Sequence, residues 1–361
     1  MSDYQVHPDI SQASTIHSSF YTNPQVFDST KEMIFSSSWQ FIGNTDLVPK
    51  PGAVHPFTLL PGYLDEPLLL TRDKEDQLYC ISNVCTHRGN LLTDHSCTVN
   101  HLRCKYHGRI FGLDGRFQSM PEFKEVSNFP SAADHLTQLL IYRWGKWLFT
   151  TLSGTPAAQL FLNDMMQRIS WLPVNEFIYR PDLDRTYEVH AHWALYCENY
   201  LEGFHIPFVH ADLNAVIDYG NYTTELFEWS NLQVGYARDA DDCFDIPHGA
   251  PDHGKNIAAY YFWIFPNMMF NFYPWGLSVN VVEPRTPAHT VVKFYTYMYD
   301  ENKYRKGAGG DLDKVELEDE AIVQQVQQGI RSRFYTHGRY SVTREQGTHH
   351  FHRLLSRVLQ P

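Results

Sequence analysis

CTHRGNLLTDHSCTVNHLRCKYHG, residues 85–108, is the stretch that decides how this chain reads. It opens on Cys85-Thr86-His87 and, after sixteen intervening residues, closes on Cys104-Lys105-Tyr106-His107. Each pair offers one thiolate and one imidazole. Four such ligands serve a tetrahedral Cys2His2 zinc site, but zinc fingers usually pair Cys with Cys and His with His along the chain. Alternation within each pair suits a two-iron cluster, with two thiolates on one iron and two imidazoles on the other. Neutral imidazoles in place of thiolates remove negative charge, so such a cluster takes up an electron at a higher potential. Arg88-Gly89-Asn90 follows the first pair and Gly108 the second. Glycine lets the backbone approach closely and leaves N–H groups for cluster sulfurs. Cys80, Cys97, His95 and His101 fit no ligand pattern, so packed thiols and loop histidines are expected there.

Outward from this stretch the chain is a series of short apolar runs broken by Pro, Gly and Asp-Gly. They fall at residues 39–43, 54–60, 67–72, 78–82 and 110–113, and Asp114-Gly115 marks a hairpin turn. A small all-β domain is expected to about Leu152, with a weakly marked linker at Ser153-Gly154-Thr155-Pro156. The first forty residues predict helix, with Asn23 capping before a first-turn Pro24. Residues 157–169 and 193–204 also predict helix, and residues 227–299 a second β region dense in aromatics. In the tail, Phe351, Leu354, Leu355 and Val358 form a helical packing stripe, and His349, His350 and His352 are expected on the surface beside it.

A second constellation runs from Glu198 to His210, ENYLEGFHIPFVH. Asn199, Glu202 and His205 share one broad helix face at i, i+3, i+6. His205 and His210 are five apart, too far round a straight helix, but Pro207 interferes with helix continuation and a bend there brings His210 back. Two imidazoles and one carboxylate with open positions make the facial triad of mononuclear non-heme iron. For the carboxylate, a helix expected over residues 319–334 carries an apolar stripe at Val323, Val326 and Ile330, with Asp319 at its N-terminal end. A first-turn acid that complements the helix dipole is the alternative for Asp319, and Glu316 competes on the same face.

Composition narrows the function. Of 361 residues, 29 Lys and Arg face 41 Asp and Glu, a net charge of -12, with no basic patch; nucleic-acid binding is excluded on that ground. No apolar run reaches the ~20 residues of a membrane span, and MSDYQVHPDIS lacks the apolar core of a signal peptide. Six cysteines are too sparse for a disulfide framework and predict reduced thiols and a cytoplasmic protein.

With both constellations in order, the chain resembles the α subunits of Rieske non-heme iron oxygenases, the ring-hydroxylating oxygenase family. The motifs span nearly the whole chain. Val326 to Tyr335, Gly338-Arg339-Tyr340, Phe265 to Met269 and a Glu at position 202 look like its choline and carnitine monooxygenase branch. The resemblance implies an α+β fold: an N-terminal helical segment (1–38), a small all-β Rieske domain (39–155) and a helix-and-antiparallel-sheet catalytic domain of the helix-grip, START-like type (156–361). It implies a [2Fe–2S] cluster on Cys85, His87, Cys104 and His107, and a mononuclear Fe(II) on His205, His210 and Asp319, with Asn199 supporting. Electrons from NAD(P)H would come through a separate flavin- or ferredoxin-type reductase, since the chain has no Gly-rich dinucleotide fingerprint. The expected reaction is hydroxylation or oxidative N-demethylation of a small, betaine-like amine. A ring-hydroxylating dioxygenase and a non-catalytic Rieske electron carrier are the alternatives. Trp193, Tyr196, Phe204, Phe208, Tyr261, Trp263, Phe270 and Trp275 are the candidates for a cage around a quaternary ammonium. Family members are trimers, and Glu202 is expected to bridge the partner subunit's His107 to His205 or His210 of its own chain.

Overall fold

The computed structural model describes residues 4–153, 157–238 and 243–359, so the expected linker at 154–156 lies outside the described residues. The chain forms two compact units, Ser36–Pro156, and Met1–Phe35 together with Ala157–Pro361.

The first unit is antiparallel β. Its strands are β1 (Gln40–Asn44), β2 (Ala53–Leu59), β3 (Glu66–Arg72), β4 (Leu78–Ser82), β5 (Cys97–Thr98), β6 (Leu102–Arg103), β7 (Ile110–Phe111), β8 (Phe117–Ser119), β9 (Gln138–Trp144) and β10 (Trp147–Thr151). Seven form one sheet in the order β1-β10-β9-β4-β3-β2-β5, and β6-β7-β8 form a second, small sheet. Central strand β3 carries Leu68, Leu69 and Leu70, all fully buried, as a strand covered on both faces requires. The Asp114-Gly115 turn joins β7 to β8, with Gly115 at φ 81°. The core beside this turn contains Leu69, Ile81, Leu92, Phe111 and Leu136, and it also buries Cys85 and Cys104. The two β-turn-like loops of the motif are therefore anchored by their sulfurs on the core side.

In the second unit one eight-stranded antiparallel sheet is built from β11 (Ile178–Tyr179), β12 (Arg185–Val189), β13 (Thr223–Leu226), β14 (Ser230–Tyr236), β15 (Ile257–Ile264), β16 (Met268–Tyr273), β17 (Gly276–Thr286) and β18 (His289–Met298). Its order is β11-β18-β17-β16-β15-β14-β13, with β12 on β18. The helices are α1 (Ser19–Thr22), α2 (Pro24–Thr30), α3 (Gln159–Arg168), α4 (Trp193–Tyr200), α5 (Ile206–Val209), α6 (Ala211–Val216), α7 (Leu312–Gly329) and α8 (Gln346–Val358). Helix α4 lies between β17, α7 and α8. Among the described residues no helix is long and apolar enough to cross a membrane.

Several elements differ from expectation. Only residues 19–35 of the N-terminal forty are helical, although the Asn23 side chain does cap α2 by accepting from the Gln25 N–H. Before that, the Asp9 carboxylate takes the Ser11 N–H and the Ser11 and Gln12 side chains, a local capture that competes with helix. Helix α4 stops at Tyr200, short of Phe204; Gly203 lies against Tyr222, whose ring would meet a Cβ at 2.7 Å. Pro207 lies in the first turn of the short α5 rather than breaking a helix, where a missing N–H costs nothing. Helix α7 starts at Leu312, where the Asp311 side chain accepts from the Lys314 N–H, and ends at Gly329. Asp319 is therefore two turns into the helix, not at its start. The stripe of α8 is buried at Phe351, Leu354 and Leu355, but His349 and His352 are buried as well, His352 completely. The N-terminal segment covers their face, Ile16 donating its N–H to His352.

Candidate metal centres

The loops that carry the first constellation are near copies of each other. Cys85 receives the Gly89 N–H on its carbonyl and donates to Asn90, and Cys104 receives Gly108 and donates to Arg109. Gly89 and Gly108 take the same left-handed φ, 68° and 76°, which a side chain would disfavour. The His87 and His107 rings stand 4.7 Å apart, and the Asn90 amide reaches Cys104 Sγ at 3.8 Å. Burial pushes the Cys85 thiol up, with the neighbouring Cys104 adding to it. A thiol so placed stays protonated unless a metal takes the proton's place. The sulfurs are buried while His107 is exposed, so a cluster held here would face solvent through its imidazoles. Beneath the loops Arg109 is 2% exposed, pairs with Asp134 at 2.5 Å and lies over the Phe111, Phe117 and Phe129 rings. That buried cation had no signal in the motif arithmetic.

The second constellation converges. One ligand atom from each of His205, His210 and Asp319 lies within 4.8 Å of the others. Oδ1 of Asp319 is 3.0 Å from His210 Nε2 and 3.4 Å from His205 Nε2. Both Nδ1 atoms are engaged elsewhere: His205 Nδ1 is 2.7 Å from Glu202, and His210 Nδ1 is 2.8 Å from Glu318. A carboxylate on Nδ1 fixes the tautomer that leaves the Nε2 lone pair for a metal. Burial works to depress His210, but Asp319 and Glu318 outweigh it and hold this imidazole above its ordinary value. Asn199 donates to Asp319 Oδ1 at 2.6 Å. The donor set, two Nε2 and one carboxylate, fits a mononuclear metal with open positions. Glu316 stands apart from it: Tyr196 donates to its Oε2 at 2.7 Å, and burial pushes its carboxyl well above the usual range. Glu318 escaped sequence reading because beside Lys314 it looks like a surface i, i+4 pair.

A cavity of about 110 Å³ opens beside this triad. Of the eight expected cage residues only Tyr196 and Tyr261 line it. Trp193, Trp263, Phe270 and Trp275 are buried away from it in the core, and Phe204 and Phe208 are exposed. Instead Tyr200, Tyr222, Tyr273 and Phe294 supply the other rings, and Gln233, Asn271, Ser278 and Asn280 the polar wall. Strand alternation accounts for Phe270, which faces the other side of β16 from the lining Asn271 and Tyr273, whereas Trp263 shares the face of Tyr261 at a point further along β15.

Residues 178–361 match the catalytic domain of the ring hydroxylating alpha subunit, and residues 38–130 match the Rieske [2Fe-2S] domain. The chain therefore belongs to the ring-hydroxylating α-subunit family and is a Rieske terminal oxygenase, an oxidoreductase. It is 28% identical over 373 residues to the chloroplastic choline monooxygenase of Arabidopsis thaliana, covering 97% of this chain and 84% of that protein. To the carnitine monooxygenase oxygenase subunit of Escherichia coli K12 it is 25% identical, covering 97% and 95%. The quaternary ammonium Rieske monooxygenase CntA with L-carnitine shares the fold at a TM-score of 0.78 and 23% identity, over 98% of this chain and 97% of that one. Naphthalene 1,2-dioxygenase from Rhodococcus sp. shares it at 0.75 and 14% identity, over 96% and 95%.

Proposed function

We propose that this oxygenase hydroxylates or oxidatively N-demethylates a small quaternary or methylated amine. The observation that carries this reading is the ring-lined cavity beside the His205, His210 and Asp319 ligand atoms. Aromatic faces attract an ammonium that has no N–H to donate, and the similarity to choline and carnitine monooxygenases points the same way. Cys85, Cys104, His87 and His107 would hold a [2Fe–2S] cluster, and His205, His210 and Asp319 a mononuclear iron. Those groups supply one-electron transfer and oxygen activation when bound.

The residues of the chain do the rest. Glu202 and Glu318 orient the two histidines, and Asn199 holds Asp319 at Oδ1. The tyrosine walls exclude water and turn a methyl group toward the triad. Exposed His107 would be the exit for electrons, and Glu202 of one subunit would receive them by bonding the partner subunit's His107 in a homotrimer. Electrons enter from a separate NAD(P)H-dependent reductase, and the protein works in the cytoplasm. Arene hydroxylation is the competing reading, and naphthalene 1,2-dioxygenase from Rhodococcus sp. shares the fold at 14% identity.

The test is amine-dependent oxygen uptake by the purified protein with NADH and a Rieske reductase, scanned over choline, carnitine, betaines and simple arenes. Amine-driven uptake with release of an aldehyde is expected, from brown-red protein with about three irons per chain. Uptake on arenes alone would replace the amine reading. A colourless zinc protein would end it.

A further inference from the structure

Glu316 sits on the cavity wall one helical turn before Asp319 on α7 and is 5% exposed. Tyr196 satisfies one of its carboxylate oxygens from 2.7 Å. The other, Oε1, is buried and has no hydrogen-bond partner. Among the described residues lining the cavity there is no Lys or Arg to neutralise it. A buried acceptor left without a donor costs stability and calls for a reason. Iron ligation is not that reason, because the converging ligand atoms are those of His205, His210 and Asp319.

An N–H donor would also satisfy Oε1, but the surrounding walls favour another kind of guest. The same cavity presents the rings of Tyr200, Tyr222, Tyr261 and Tyr273. Aromatic faces attract cations that carry no N–H, through the ring quadrupole. A methylated ammonium spreads its positive charge over its methyl groups, so it meets both π faces and a carboxylate without needing a directed hydrogen bond. Burial by itself holds the Glu316 carboxyl well above its usual range, but a cation seated against it favours the charged form, so the negative wall forms together with its guest.

We infer that Glu316 is a specificity-determining residue, the anionic wall of a pocket that selects a methylated ammonium substrate over its neutral isostere. The inference rests on the oxygenase reading above and adds to it a residue that the metal centres do not use. Tyr196 is then a positioning residue, fixing the carboxylate through Oε2 and leaving Oε1 unpaired.

Calorimetric binding to the metal-loaded oxygenase tests this, with choline and with the neutral carbon analogue of choline in which C replaces N. Wild type should bind choline at least about tenfold more tightly than the analogue, the scale of one charge-assisted contact. In Glu316→Gln the choline Kd should rise about ten- to a hundredfold, with analogue affinity within a factor of about three. Iron content and visible spectrum should match wild type. Should Glu316→Gln not fold, Glu316→Met removes the charge without leaving a buried amide and must lose the preference as well. Equal choline binding by wild type and the charge-free variant overturns the inference while leaving the amine reading intact. Loss of iron in Glu316→Gln overturns it too, by making Glu316 part of the metal site. If wild type binds neither compound and no amine drives oxygen uptake, the amine reading itself fails and takes this inference with it.

Discussion

Glu202 and Glu318 hold equivalent positions on two different histidines, yet their substitution should read differently. Glu318 accepts from His210 on the same chain and is tied to Lys314. Glu318→Gln removes the charge that orients His210 and raises its basicity, so iron affinity should fall about ten- to a hundredfold. Iron retained after dialysis against a graded chelator series measures that loss. Glu202 holds His205 both at Nδ1 and through the His205 N–H. If it also reaches the partner subunit's His107, Glu202→Gln should keep both centres loaded while turnover falls by orders of magnitude. Near wild-type turnover, or simple loss of iron, would remove the bridge from the mechanism.

At the scale of elements, three pieces of the catalytic unit meet in one ion cluster around the buried Asp252. Arg168 of α3 bonds Glu225 of β13 and Asp252, and Asp252 also takes Lys255 and the Tyr260 hydroxyl of β15. Burial raises the Asp252 carboxyl, but Lys255, Tyr260 and Arg168 overcome that and hold it below its ordinary value. A depressed carboxylate contributes stability that is present above its unfolded value of about 4 and is lost as pH falls through the lower folded value. Acid unfolding followed by circular dichroism should therefore steepen below about pH 4. Asp252→Asn should flatten that limb. At neutral pH it should cost about 3 kcal/mol by denaturant titration, because it strips one partner from a cation that is 17% exposed. Glu225 remains on Arg168, which keeps the cost from being larger. An unchanged acid limb would show that other carboxylates govern acid stability.

The whole molecule makes a prediction that no single chain can. If electrons leave through His107 of one subunit and arrive at the iron ligands of the next, the two defects should complement. In the proposed trimer, His107→Ala alone, or His205→Ala alone, should be inactive. Co-expressed mixtures should recover amine-dependent oxygen uptake, because some interfaces then pair an intact cluster with an intact iron site. Mixed trimers separated by two affinity tags give the measurement, and inactivity of a verified mixture would place the electron path within one chain.

The candidate ligands were readable from the chain because they depend on residue type and short spacing. Cys85-x-His87, Cys104-x-x-His107 and the His205 to His210 interval survive any packing, since each lies within one loop or one bend. The antiparallel β texture was equally local, written in runs of β-branched and aromatic residues and in Asp114-Gly115. What depends on meetings across the chain was not readable. Asp319 could not be chosen over Glu316 by periodicity, because α7 begins at an Asp311 cap and the two differ only in what they face. Which candidate rings line the cavity was not readable either: density of aromatics along β15 and β16 does not say which of them reach it. His352 looked exposed on its own helix and is buried because the N-terminal segment, with Tyr21, covers it from 331 residues away. Local chemistry sets which atoms can bind a metal, whereas burial, which sets their charge and their partners, is a property of the packed chain.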